Sequence, residues 1–558
     1  MTIPVLALLV LLQPPTPEEQ LRSELPAANS ARDNAVSEPP PRDPALRFQL
    51  KGHRGEIKAL ALVTDGSCLL TLDCGSDLHC WDVKSGAERY EVTLYPDGAD
   101  TISNNQPGYY SPLAASPDGR FAAVCKGESN VGVVQVYDLQ QKKKVQEFKP
   151  TEVFGGALSV AFSTRGDRLA IALHGYGALQ WSFGEAKSLT PPKSAALPLD
   201  VKNKNRAMAV THLRGDDVLA VGYFLQDVHF YDARSGAELE SYSIPVQPKH
   251  PLSSFYQLAL SSDSGLLLAV ARQSGADTKP GDMIHVWDMT TGEKVWTFTH
   301  KEWHVTQAAL SPDGRYIAVG FYNDPAVRLY RLADGKEMAA FKGHSKGVTC
   351  VAFSADGKLI ASGSMDKTAI VWDVKEGLLP AAERPKADKD FTPRWGALRD
   401  GKPLEALEAI AALAAAKDDG VAKLEDKLSP ARKPDAARVQ KLIEQLNHDD
   451  QPKRDEASRE LAALGAQVEV AVKKALAGEP PAEPKKRLEE LLKEMRGLWV
   501  ADRDTVRAVR GIYVLERVGS ERAVNLLKKL AEGDPAARLT REAKISLERI
   551  EVRKPPKP

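Results

Sequence analysis

A unit recurs seven times between residues 45 and 377, and every copy closes on an aromatic residue followed by a polar one. The closing pairs are Trp81-Asp82, Tyr137-Asp138, Trp181-Ser182, Tyr231-Asp232, Trp287-Asp288, Tyr330-Arg331 and Trp372-Asp373. A second signature keeps step with them: SPDGR at 116–120 and 311–315, SADGK at 354–358 and SSDSG at 261–265. Between these marks the chain alternates, as from Val348 to Phe353, before a tight turn at Ala355-Asp356-Gly357 leads into a run rich in small and β-branched residues. Alternation of period two broken by such turns predicts antiparallel strands. The repeat is slightly longer than the roughly 40–45 residues of a four-stranded propeller blade, so seven blades are expected, with the surplus in loops such as 272–282.

The Gly52-His53 and Gly343-His344 pairs and the Trp-Asp endings make the chain resemble the WD-repeat (WD40) β-propeller family. The resemblance implies a hydrogen-bonded set of His, Ser or Thr, Asp and Trp inside a blade, which here falls on His344, Ser362, Asp366 and Trp372. Blade one supplies His53, Thr71 and Trp81 but has Gly75 where the Asp is expected, while blade six keeps Asp324 with Tyr330 for Trp and Gly320 for Ser. A buried imidazole, hydroxyl and indole N–H all need partners, so these are structural residues. The seventh unit ends at Trp372-Asp373 without a fourth strand, and Leu46 to Leu50 occupy the place an outer strand holds elsewhere. The N-terminal strand is therefore expected to complete the last blade and remove the open sheet edges.

Gly343-His344-Ser345-Lys346-Gly347 also matches the G-x-S-x-G elbow of serine hydrolases. That elbow needs a strand-to-helix corner and a downstream acid and His. Strands follow Ser345 instead, and the one later His, His448, lies in a charged helical stretch, so Ser345 is not expected to be a nucleophile.

Beyond Lys389 the period becomes helical, as in VQKLIEQL at 439–446. Residues 459–481 resemble 512–536, with Gly465 and Gly519 each ending one helix and Gly478 and Gly533 the next, and a third helix follows each copy. The two glycines stand 54 residues apart, so the tail reads as a short HEAT-like solenoid with an extra helix per copy. Glu489, Glu490 and Glu494 read as a solvated face. The expected layout is a signal-peptide core at 1–12, a Pro-rich linker at 13–44, the propeller at 45–377, a linker at 378–390, the helical domain at 391–550 and a tail at 551–558. The fold class is thus an all-β propeller followed by an all-α region, and the pairing resembles bacterial WD-repeat proteins of undefined activity.

Lys plus Arg and Asp plus Glu number 75 each, which gives no net field to favour nucleic acid. The apolar run from Ile3 to Leu12 has the length of a signal-peptide core and is too short to span a bilayer, so export is expected. Five cysteines, Cys68, Cys74, Cys80, Cys125 and Cys350, cannot all pair within one chain. Zinc at Cys68, Cys74, Cys80 and His79 is not expected, because Cys68 and Cys74 on one strand stand about 20 Å apart at roughly 3.3 Å per residue. Cys80 and Cys350 read as small buried hydrophobes.

No phosphate loop, H-E-x-x-H helix, calcium loop or kinase signature is present. The expectation is a non-catalytic protein-binding scaffold without a cofactor, in which Trp303, Phe255 and Tyr109, on corresponding connections entering blades six, five and two, supply aromatic anchors. The competing reading is an exported propeller hydrolase or redox enzyme with an axial metal or cofactor, for which His174, His229 and His285 are the available ligands.

Overall fold

The computed structural model describes residues 45–553 apart from 64–65, 75–76, 95–111, 129–130, 149–155, 174–176, 183–196, 199–206, 214–216, 224–226, 244–251, 262, 264, 275–280, 301–303, 375–390, 497–498 and 501. The signal-peptide-like run and the Pro-rich linker lie outside the described residues. Seven four-stranded antiparallel sheets follow one another in chain order. Blade one is β2 (Ile57–Leu62), β3 (Cys68–Asp73), β4 (Asp77–Asp82) and β5 (Glu88–Thr93). Blades two, three and four are β6–β9 (113–148), β10–β13 (157–198) and β14–β17 (207–243). Blade five is β18 (Leu252–Leu260), β19 (Leu266–Ser274), β20 (Gly281–Asp288) and β21 (Lys294–His300), and blade six is β22–β25 (305–342). Blade seven is β26 (Val348–Phe353), β27 (Leu359–Ser364) and β28 (Ala369–Asp373), completed by β1 (Leu46–Leu50).

The β1 strand pairs antiparallel with β28 in the register Leu46↔Trp372, Phe48↔Val371, Gln49↔Ile370 and Leu50↔Ala369. The ring is thus shut by a strand from the opposite end of the domain, as the missing fourth strand led one to expect. Inner strands are also clipped between blades: Gln257 of blade five exchanges two hydrogen bonds with the backbone of Ala308 in blade six, and Gln307 accepts from the Val351 amide of blade seven.

The two repeated sequence marks become the two turns at one end of each blade. In the first, between the first and second strands, a Ser hydroxyl donates to an Asp two residues on, as Ser311 to Asp313 at 2.5 Å, and accepts the amide five residues on. In the second, between the third and fourth strands, the Asp of the closing pair accepts amides two and three residues later, as Asp82 does from Lys84 and Ser85. These Asx-type bonds satisfy the turn backbone and fix its direction. In each meander the other two connections, between the second and third strands and between blades, emerge at the opposite end.

The helices are α1 (Phe391–Asp400), α2 (Pro403–Ala415), α3 (Lys417–Glu425), α4 (Ala436–Gln445), α5 (Gln451–Leu464), α6 (Glu469–Ala477), α7 (Ala482–Arg496), α8 (Arg503–Val518), α9 (Glu521–Ala531) and α10 (Arg538–Val552). The internal sequence repeat is visible as two three-helix units, α5-α6-α7 and α8-α9-α10, with Gly465 and Gly519 ending their first helices at positive φ. Asp502 caps α8 through the Thr505 amide and Ser520 caps α9 through the Ala523 amide. The two units bury their stripes differently. Val439, Leu442, Leu461, Val472 and Leu488 form a core of helices alone. Val509, Ile512 and Leu526 instead join Leu266, Ile284 and Ile317 of blades five and six in one continuous core.

This junction is the feature that the sequence reading, with its linker and separate helical domain, did not anticipate. Two arginines seven residues apart on α8, hence on one face, reach the two turns of blade five. Arg510 donates to Asp288 at 2.7 Å and to the Leu398 carbonyl at 2.8 Å, while Arg517 donates to Asp263 at 2.6 Å and to the Asp313 carbonyl at 2.7 Å. Both ion pairs are buried: side-chain exposures are 1% and 7% for Arg510 and Asp288, and 10% and 1% for Arg517 and Asp263. Trp499 seals the edge by packing where a Cβ on Gly292 would stand, 2.6 Å away, so that position admits only glycine.

Cys68 on β3 and Cys80 on β4 meet on neighbouring strands and form a disulfide, which leaves Cys74, Cys125 and Cys350 free. This corrects the reading of Cys80 as a free buried hydrophobe, whereas Cys350 is indeed buried and unbridged. The cross-strand approach was not visible from spacing, because a 12-residue separation pairs only when the turn sets the register. Thiol titration of the unfolded, unreduced protein should therefore count three groups, and five after reduction.

Burial alone would raise the Asp263 carboxyl, but the Arg517 charge and hydrogen bonds from Ser261 and Gly265 outweigh it and bring it to about 2. A depressed carboxylate stabilises the fold above its unfolded value and loses that contribution as pH falls from about 4 toward 2, here on the order of 2 kcal/mol. The Asp263→Asn protein should lose roughly 3–5 kcal/mol at neutral pH, as expected for a broken buried pair. Its stability should also fall less than the wild type's between pH 4 and 2, as measured by urea unfolding.

Candidate functional site

The helices occupy one end of the propeller, so the opposite end is where a functional surface can lie. The hydrogen bonds that α8 makes to the propeller reach the turn end at blades five and six, and α10 reaches the same end at blade three through Arg165 and Glu548 at 2.9 Å. The interblade connections and the turns between second and third strands form the other end.

At that other end, blades six, seven and one are the best described. His344 leads into blade seven, with Nε2 2.8 Å from Ser362 Oγ and Nδ1 3.2 Å from Asp366 and 3.1 Å from Thr368 Oγ1. Trp372 Nε1 donates to the same Ser362 Oγ at 2.8 Å. Since the indole can only donate, the Ser362 hydroxyl gives its proton to His344 Nε2, and the imidazole keeps its proton on Nδ1 for Asp366. Burial opposes ionisation of Asp366, but bonds from His344 and Thr368 prevail and lower its carboxyl to about 2. Ser345 stands exposed between β25 (Glu337–Lys342) and β26, its amide donating to Asp366 at 2.8 Å. No strand-to-helix corner exists there.

Blade one repeats the pattern with a substitution. His53 Nε2 lies 2.8 Å from Thr71 Oγ1, and Trp81 Nε1 donates to that oxygen at 2.9 Å. The Asp expected at Gly75, a position outside the described residues, is replaced by Asp73 at the end of β3. Asp73 Oδ2 accepts the amides of Arg54 and Gly55 at 2.9 and 3.1 Å, the service that Asp366 performs for Ser345. The acid has moved two residues along the chain, and counting from the Trp missed it. Burial first, and the neighbouring His79 second, lower His53 to about 4, so it is neutral at physiological pH.

Blade six has no such set: Asp324 pairs with Arg328 at 2.5 Å, and Val348 fills the space a side chain at Gly320 would need. Of the proposed anchors, Phe255 lies on β18 opposite Ala271, while Trp303 and Tyr109 fall in the connections after β21 and β5, outside the described residues. His285 bonds Thr297 at 3.1 Å and His229 bonds Glu238 at 2.7 Å, each across the outer strand pair of its blade, and His174 lies outside the described residues. The axis itself carries a cavity of about 430 Å³ lined by the innermost strands of all seven blades. Its polar side chains are Thr211, Gln257, Gln307 and Ser354, and no ionisable side chain lines it among the described residues.

Ring, turns and tetrads together define a seven-bladed β-propeller carrying WD40 repeats, with a helical region docked on it. Residues 292–331 and 335–373 match the family described as "WD domain, G-beta repeat". The chain is 35% identical over 94 residues to the "Target of rapamycin complex subunit wat1" of Schizosaccharomyces pombe, covering 16% of this chain and 29% of that one. It is 40% identical over 88 residues to the "Intraflagellar transport protein 122 homolog" of Xenopus tropicalis, covering 16% of this chain and 7% of that one. The β-propeller domain of Cps50 (Swd1) from Myceliophteria thermophila superposes with a TM-score of 0.47 at 15% identity, over 60% of this chain and 100% of that one. The chain thus spans less than a third of the length of these two curated relatives. They are eukaryotic proteins, which does not support the expected similarity to bacterial WD-repeat proteins.

Removing the Ser362 hydroxyl strands two buried groups at once, each costing roughly 1–3 kcal/mol. Ser362→Ala should therefore lower stability by about 2–4 kcal/mol in urea unfolding, while Ser345→Ala should stay within about 0.5 kcal/mol of wild type.

Proposed function

We propose that this protein is a non-catalytic scaffold that binds protein partners on the propeller end facing away from its helices. The observation that carries the reading is the docking of α8: its buried Arg510 and Arg517 pairs fasten the helical region to one end of the ring, which leaves the other end as the face assigned to partners. A closed ring holds that end's loops on strands, which limits the entropy lost when a partner binds. The α5-α6-α7 unit, with a core of its own, offers a second surface. An axial lining without ionisable side chains gives no support to the axial metal or cofactor reading. The subunit and transport names of the relatives are in keeping with assembly, as an expectation for this chain rather than a property of it.

Because propeller and helices share a core, cutting the chain after the last blade would expose apolar surface and confuse folding with binding. The test uses the full chain. Lys346→Glu alters the free end, and Arg165→Glu alters the helix-bearing end. Partners captured by the wild type should be lost from the first protein and kept by the second, with both melting like wild type. Loss from the second alone would overturn the assignment of the face.

A further inference from the structure

The two blades that carry the hydrogen-bonded set differ beside it, and the difference changes the chemistry. Blade seven places Ser364, Thr368 and Ile370 around the turn between β27 and β28, where Ile370 pairs with Ser362. Counted from Ser362 and Thr71, the matching positions of blade one are Asp73, Asp77 and His79, and His79 pairs with Thr71. Two hydroxyls and an alkyl group have become two carboxylates and an imidazole. One oxygen from each Asp and one ring nitrogen of His79 all lie within 4.8 Å of one another.

All three side chains are buried, with Asp73 and Asp77 at 0% and His79 at 1% exposure. Asp73 binds three backbone amides, those of Arg54 and Gly55 on Oδ2 and that of Asp77 on Oδ1, and Oδ1, with one amide, keeps a lone pair for a further ligand. Neither oxygen of Asp77 has a hydrogen-bond partner among the described residues, and the cation paired with it there is Arg54, whose Nε is 3.3 Å away on a side chain 67% exposed. His79 Nδ1 lies 2.7 Å from Glu88 Oε1, and Nε2, buried, has no partner among the described residues. A carboxylate that accepts a hydrogen bond from Nδ1–H leaves Nε2 as the lone-pair nitrogen, the arrangement in which histidines bind metal ions. His53, its ring centroid 4.5 Å from that of His79, holds Thr71 with its Nε2 and is not one of the three converging groups.

We propose that Asp73, Asp77 and His79 form a binding site for a divalent transition-metal ion, Zn2+ in the first instance, at the free end of blade one. Two carboxylates packed together with one mobile guanidinium for balance are costly to bury, and a dication neutralises both. The imidazole selects zinc over calcium or magnesium, which take oxygen ligands. Arg54 then acts as the competing cation that leaves when the metal enters. The site is independent of the scaffold reading, since it requires no partner.

The test is zinc binding by calorimetry and metal analysis on the full chain after chelation and dialysis. Wild type should take up one equivalent and melt at a higher temperature with zinc present. Asp77→Asn and His79→Gln should lose the equivalent, Glu88→Gln should bind roughly 10–100-fold more weakly, and Cys74→Ser should bind like wild type. Arg54→Ala should bind more tightly and gain more from zinc on melting, a result that loss of folding cannot imitate and that keeps the test decisive if Asp77→Asn fails to fold. Less than one equivalent in both wild type and Arg54→Ala, or full binding by folded His79→Gln, would overturn the site.

Discussion

The pairing of residues 46–50 with 369–373 makes the rest of the molecule possible. Without it β28 would present an unpaired strand edge and the seventh blade would be one strand short. With it, each inner strand holds its place against the next, and side chains such as Gln257 and Gln307 can bridge between blades at hydrogen-bond distance. The pairing joins segments more than 300 residues apart, a contact of high sequence separation that favours slow folding.

On that rigid ring the turn-forming aspartates do two jobs. Asp288 and Asp263 shape the turns of blade five with one oxygen each and receive Arg510 and Arg517 on the other. The same residue types at the same turns of other blades are spent on local partners, as Asp82 is on Arg89 and Asp138 on Arg120. Helix docking thus reuses a blade element and needs no new one. It places helix contacts at the turn end of blades three, five and six, which is the support for assigning partners to the other end.

Much of this was readable beforehand. The seven units and the tight turns follow from local period and spacing, because each depends on residues a strand or a turn apart; the His344-Ser362-Trp372 set was implied by the resemblance to WD-repeat propellers, and the closing strand by a last blade one strand short. The Asp of blade one was misplaced for an instructive reason: a hydrogen-bond acceptor can be supplied from the strand end at Asp73 or from the turn, and spacing counts residues rather than directions. Arg510 and Arg517 carried a signal too, two arginines on the apolar face of α8, which marks a buried charge in search of an acid.

The sequence by itself determined the repeat and the strand and helix periods, which are properties of neighbours along the chain, and it implied the closing strand by leaving the last blade one strand short. Only the tertiary structure decided that the helices share a core with blades five and six, that Cys68 meets Cys80, and that two carboxylates and an imidazole converge at the end of blade one. Those depend on where separate segments come to lie in space, and the forces that choose it, burial and the pairing of charge, act between residues that no linear spacing connects.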